Sequence, residues 1–96
     1  MQQISKSPLF PLGQVVATPS ALAALEKAGQ QPQEFLSRHV LGDWGDLCNE
    51  DHNENQLNLK HGFRLLSSYR TLADVKLYVI TEADRAVTTI LLPEEY

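Results

Sequence analysis

Residues 63–92 read FRLLSSYRTLADVKLYVITEADRAVTTILL, and this stretch decides the fold. Apolar and polar residues alternate in it with a period of two and β-branched side chains are frequent, so residues 63–70, 76–81 and 87–92 read as three strands. The gaps at 71–75 and 82–86 are of hairpin length, which makes consecutive strands antiparallel neighbours in a meander. Runs such as Leu77-Tyr78-Val79-Ile80 and Ile90-Leu91-Leu92 are apolar on both sides, so a layer of helices must cover one face.

The upstream half supplies that layer. Gln14-Val15-Val16-Ala17 reads as a short extended segment after Gly13. Thr18 then suits an N-cap and Pro19 the first helical position, where its missing N–H costs nothing. That helix runs to Ala28 with Ala21, Leu22, Leu25 and Ala28 as its apolar stripe, and Gly29 stops it. Pro32 opens a second helix that carries Phe35, Leu36, His39 and Val40 on one face, and Gly42 closes it. A third helix is expected from near Asp46 to His61, its apolar face beginning at Leu47 and Cys48 and ending at Leu57 and Leu59. The expected class is α+β: two or three short helices packed on a three- or four-stranded antiparallel sheet. Residues 1–8 form a flexible N-terminal arm and residues 9–96 a single domain.

Composition sets the outer limits. Ninety-six residues, 43% hydrophobic and 21% charged, suit one folded domain with one core. A formal charge of −4 argues against direct nucleic-acid binding, whose affinity comes from cations, and favours a protein partner with a basic surface. The single cysteine leaves no disulfide framework and no zinc spacing. The first residues carry no apolar run of signal or membrane length, so a cytoplasmic protein without a membrane partner is expected.

Charge is most concentrated in residues 43–61, where Asp43, Asp46, Glu50, Asp51 and Glu54 precede the first lysine, Lys60. On a continuous helix Asp46, Glu50 and Glu54 share a face and repel one another unless a cation compensates. The face can be merely solvated, with the first-turn carboxylates answering the helix dipole, or it can meet a partner protein. Alternatively Asp43, Asp46, Glu50 and His52 hold a divalent ion, although their spacing matches no calcium loop. Trp44 either plugs the core beneath this loop or anchors a contact. His39 reads as a core histidine, His61 as a cation at a helix C-terminus, Cys48 as a small buried apolar group, and Ser67-Ser68-Tyr69-Arg70 as edge or surface polar residues. No catalytic residue and no cofactor are expected.

Three strings together carry a resemblance: residues 42–47 (GDWGDL) with Glu50-Asp51 and Asn55; residues 64–69 (RLLSSY); and residues 80–85 (ITEADR) with residues 88–96 (TTILLPEEY). Over about residues 9–96 the chain resembles a family of small uncharacterised bacterial proteins, often carried on plasmids and other mobile elements. Members bear labels such as plasmid-related protein or type I restriction subunit M. The second label fails on size, since the methyltransferase needs a nucleotide-cofactor domain with a glycine-rich loop, which this chain lacks. The resemblance implies a bacterial accessory protein acting between mobile elements and host defence, and it implies no catalytic residues.

Two functions compete. The first is a non-enzymatic interaction module, an anti-defence inhibitor in its most concrete version, that presents Asp43, Trp44, Asp46, Glu50, Asp51 and Glu54 to a basic protein surface. The second is a small metal-dependent hydrolase or nuclease using the Asp43–Glu54 segment. Arg85, in the turn between the last two strands, is placed to offset the acidic face, and self-association through a strand edge is a further expectation.

Overall fold

The structure is a computed structural model, and it describes residues 7–96. The expected arm therefore lies outside the described residues except for Ser7 and Pro8, both exposed. Chain order is β1 (Gln14–Ala17), α1 (Pro19–Ala28), α2 (Pro32–His39), α3 (Asn49–His61), β2 (Leu65–Arg70), β3 (Lys76–Thr81), β4 (Val87–Leu91) and a 3₁₀ turn at Pro93–Glu95. The class is α+β, with three helices on a four-stranded sheet of order β1-β4-β3-β2. Among the described residues no helix is long and apolar enough to cross a membrane.

The meander stands as its periodicity dictates, β2 antiparallel to β3 and β3 to β4. The sheet is nevertheless mixed, because the segment after Gly13 adds to β4 as a parallel edge strand with Val15 opposite Thr88. Gly13 has φ +65°, and a Cβ there would lie 2.3 Å from the Ala86 carbonyl oxygen, so glycine lets the chain enter the sheet beside the β3–β4 turn.

Local signals set the helix ends. Thr18 Oγ1 accepts the Ala21 N–H at 3.1 Å and Gly29 stops α1 in the left-handed region. In α1 only Ala21 and Leu25 of the expected stripe are buried, and Leu22 stays 47% exposed. The core against the helices joins those two with Phe35, Leu36, Tyr69, Leu77, Val79 and Ile90. A second cluster, of Phe10, Trp44 and Leu65, holds the chain before β1 to the loop before α3, with Leu12, Val40, Leu47 and Leu59 packed on it.

The third helix departs from expectation. It begins at Asn49 with Cys48 as its N-cap, so Asp46, Leu47 and Cys48 precede it. The reason is competition for backbone groups: the Ser68 N–H donates to the Trp44 carbonyl at 3.0 Å, and the Asp46 N–H to the Ser68 carbonyl at 2.6 Å. The loop is thus a one-residue strand against the edge of β2. Gly45, at φ +77°, allows the approach, since a Cβ there would sit 2.0 Å from Ser68 O. The face α3 buries is likewise not apolar. Its buried residue is Asn55, whose amide donates to the Leu66 carbonyl and accepts the Leu66 N–H at 3.2 Å, while Asn58 donates to the Arg64 carbonyl at 3.1 Å. Loop and asparagines together satisfy the outer edge of β2.

Candidate functional site

A chain of hydrogen bonds crosses the core. Ser67 Oγ lies 2.5 Å from His39 Nδ1, His39 Nε2 2.9 Å from Thr81 Oγ1, and Thr81 Oγ1 2.8 Å from Thr88 Oγ1, which donates to the Leu12 carbonyl at 2.7 Å. Counting protons fixes the direction. Because Thr88 gives its hydrogen to Leu12, Thr81 must donate to Thr88 and accept from His39, leaving Nδ1 to accept from Ser67. His39 is accordingly the neutral Nε2–H tautomer. Burial, with the Arg85 charge adding to it, lowers its pKa from 6.5 to about 4.

The Ser67–His39 contact brings together a hydroxyl and a base, the elements of an activated nucleophile. All four side chains of the chain have 0% exposure, however, so no substrate reaches them. The arrangement ties α2, β2, β3, β4 and the segment before β1 into one polar core. Alternation does put Ser67 and Tyr69 on one face and Ser68 and Arg70 on the other, but both serines are buried rather than on the surface.

The acidic segment is split by its own chain. Asp43 accepts from Arg38 Nε at 2.7 Å, an ion pair that holds its carboxyl below the usual range, and Asp46 lies 3.7 Å from Arg70 Nε. Arg85 takes no part. Its guanidinium donates to the carbonyls of Phe63 at 2.7 Å and Glu82 at 3.1 Å, closing the turn it sits in, and the Glu82 carboxylate pairs instead with Arg64 at 3.1 Å. Trp44, expected among the contact residues, has 0% exposure and packs against Phe10 and His39 as a core plug. The expected carboxylate face on one helix does not form, because Asp46 lies in the bridge with β2. Nor does the metal set Asp43, Asp46, Glu50 and His52: among the described residues no three His, Cys, Asp or Glu side chains converge as metal ligands. Cys48 is exposed rather than buried.

Glu50, Asp51 and Glu54 remain, all exposed on α3, and no described Arg or Lys forms an ion pair with them. Glu50 and Asp51 lie in the first turn, where the helix dipole favours them, but Glu54 lies beyond its reach. Because Asn55 turns inward, Glu50, Asn53, Glu54, Leu57 and His61 line the outer side with Phe63 at its end, around a shallow groove of about 410 Å³. Leu57 and Phe63 are each 57% exposed. The outer face of α3 is therefore acidic at one end and apolar at the other. The apolar half was missed because Leu57 reads as a core position until Asn55 is known to be the buried residue.

The chain matches no family model, no curated protein and no solved structure.

Proposed function

We propose that the chain is a non-enzymatic binding module whose α3 outer face engages the basic surface of a protein partner. The observation that carries this reading is what intrachain pairing leaves: Glu50 and Glu54 stay exposed beside exposed Leu57 and Phe63, Asp51 stays exposed on the flank where it and Glu54 share a pocket with Arg64, and among the described residues no ion pair engages the three carboxylates. Clustered carboxylates steer a basic partner and select against acidic ones, and the apolar end adds contact area that salt does not screen. The concrete version, resting on the resemblance to mobile-element proteins, is an inhibitor that occupies the groove by which a bacterial defence complex holds nucleic acid. Such a partner leaves β1, at the opposite edge of the sheet from β2, free for self-association.

The test is capture from a bacterial lysate by the immobilised wild type, by Glu50→Gln/Asp51→Asn/Glu54→Gln and by Asp46→Asn. A protein retained by wild type and Asp46→Asn, released by salt and lost with the triple variant supports the reading. Capture that the triple variant leaves unchanged removes it.

A further inference from the structure

The two edges of the sheet are treated differently. The outer edge of β2 is closed by the loop at Trp44–Asp46 and by Asn55 and Asn58. On β1, Gln14 and Thr18 donate to the carbonyls of Ala86 and Ile90, so strand alternation directs the N–H and C=O groups of the intervening Val15 and Ala17 away from β4. Val15 and Val16 are 42% and 39% exposed. No bulge, lysine or internal proline blunts this strand, although it is only four residues long.

We infer that β1 pairs antiparallel with β1 of a second copy about a two-fold axis at Val16, joining the two sheets edge to edge. The register follows from the backbone. With Val16 opposite Val16, each Val15 faces Ala17 of the other copy, and these are the residues whose N–H and C=O groups point outward, so four hydrogen bonds form and no outward group of Val15 or Ala17 is left over. Pro19, without an N–H, ends the ladder at one side.

Charge selects a like copy as the occupant. The molecule carries −4 overall, so copies repel where they are charged, yet Ser7 through Leu25 contains no charged residue. A groove of about 460 Å³ beside β1, between Phe10–Gly13 and α2, is also lined without charge. A two-fold normal to the sheet keeps each face continuous, so the second copy's α1, with its exposed Leu22, lies on the same side as this groove. Two acidic molecules thus meet on uncharged strands and grooves, with the Glu95 carboxylate, which accepts from Thr18 Oγ1 at 2.7 Å, standing just past the end of each strand.

Sedimentation velocity on the whole chain from micromolar to millimolar concentration tests this, together with cysteine cross-linking in a Cys48→Ser background. Val15→Pro removes an N–H that makes no bond in the monomer, and Val16→Lys sets two ammonium groups face to face. Each is expected to weaken self-association by at least about tenfold while leaving the thermal transition of the dilute protein in place. Val16→Cys is expected to form a disulfide dimer on mild oxidation, since opposed residues of a non-hydrogen-bonded pair lie about 4.5 Å apart, within the reach of a disulfide. Val15→Cys, whose counterpart is Ala17, is expected to stay reduced. A wild type that is monomeric throughout, a dimer that survives in folded Val15→Pro and Val16→Lys, or equal cross-linking at positions 15 and 16 overturns the inference.

Discussion

Acid should loosen this protein through one residue, His39. In the folded chain its imidazole is sealed in the core, accepts from Ser67 and donates to Thr81, and has its pKa lowered from 6.5 to about 4. The unfolded chain therefore binds the proton more readily, so stability rises with pH between about 4 and 6.5 and is lost as pH falls through that window. Relative to pH 8 the linkage removes about 2 kcal/mol at pH 5 and about 3 kcal/mol at pH 4. That is a large share of what a domain of this size has. The pKa values of Asp43, lowered by Arg38, and of Glu95, lowered by the Leu92 N–H and Thr18, make stability fall further as pH drops toward and below the ordinary carboxylate values, so the histidine contribution is read apart from them between pH 8 and about pH 5. Urea unfolding from pH 8 to pH 4.5, read by circular dichroism, should show the midpoint falling with unchanged slope, and His39→Leu, though less stable throughout, should lose most of that dependence. A His39 imidazole that titrates near 6.5 by NMR, or a wild-type midpoint flat from pH 7 to pH 5, refutes the reasoning.

Other consequences concern the edge of β2 and the core plug. Gly45→Ala forces a Cβ to within 2.0 Å of Ser68 O in a left-handed backbone, so it should cost about 3 kcal/mol by thermal melting, whereas Gly29→Ala, with nothing within 4 Å of its Cβ, should cost only the strain of about 1 kcal/mol. Asn55→Leu leaves the Leu66 N–H and C=O without partners and should cost about 2–3 kcal/mol, with faster amide exchange confined to β2 and α3. The fluorescence of Trp44, the sole tryptophan, should resist iodide quenching in the native state and yield to it only on unfolding; ready quenching at pH 7 would show an exposed ring.

Much of the architecture was legible in the sequence because it is locally encoded. Thr18, Pro19 and Gly29 mark the limits of α1 by their own backbone preferences, and the period of two in residues 63–92 marks the meander. What stayed hidden depends on partners distant in the chain. Nothing in Gln14–Ala17 says that it pairs parallel to a strand more than seventy residues later. The start of α3 was misplaced for the same reason, since the backbone of Trp44 and Asp46 is claimed by Ser68 rather than by the helix. Ser67, Thr81 and Thr88 fall on inward positions of their strands, a signal that a polar core was forming, but only the strand register brings them to His39. The acidic segment was visible as composition. Its division into Asp43 and Asp46, answered by Arg38 and Arg70, and Glu50, Asp51 and Glu54, exposed on α3 with no ion pair among the described residues, is a product of the fold.

The most direct test of the binding role is an amide NMR titration of the whole chain with a synthetic amphipathic lysine–leucine peptide at low salt. Shifts should gather on Glu50–His61 and Phe63, shrink as salt rises, and vanish in Glu50→Gln/Asp51→Asn/Glu54→Gln while persisting in Asp46→Asn. Shifts centred on Asp43, Asp46 or Glu82, or none at millimolar peptide, would contradict the assignment of α3 as the interaction surface.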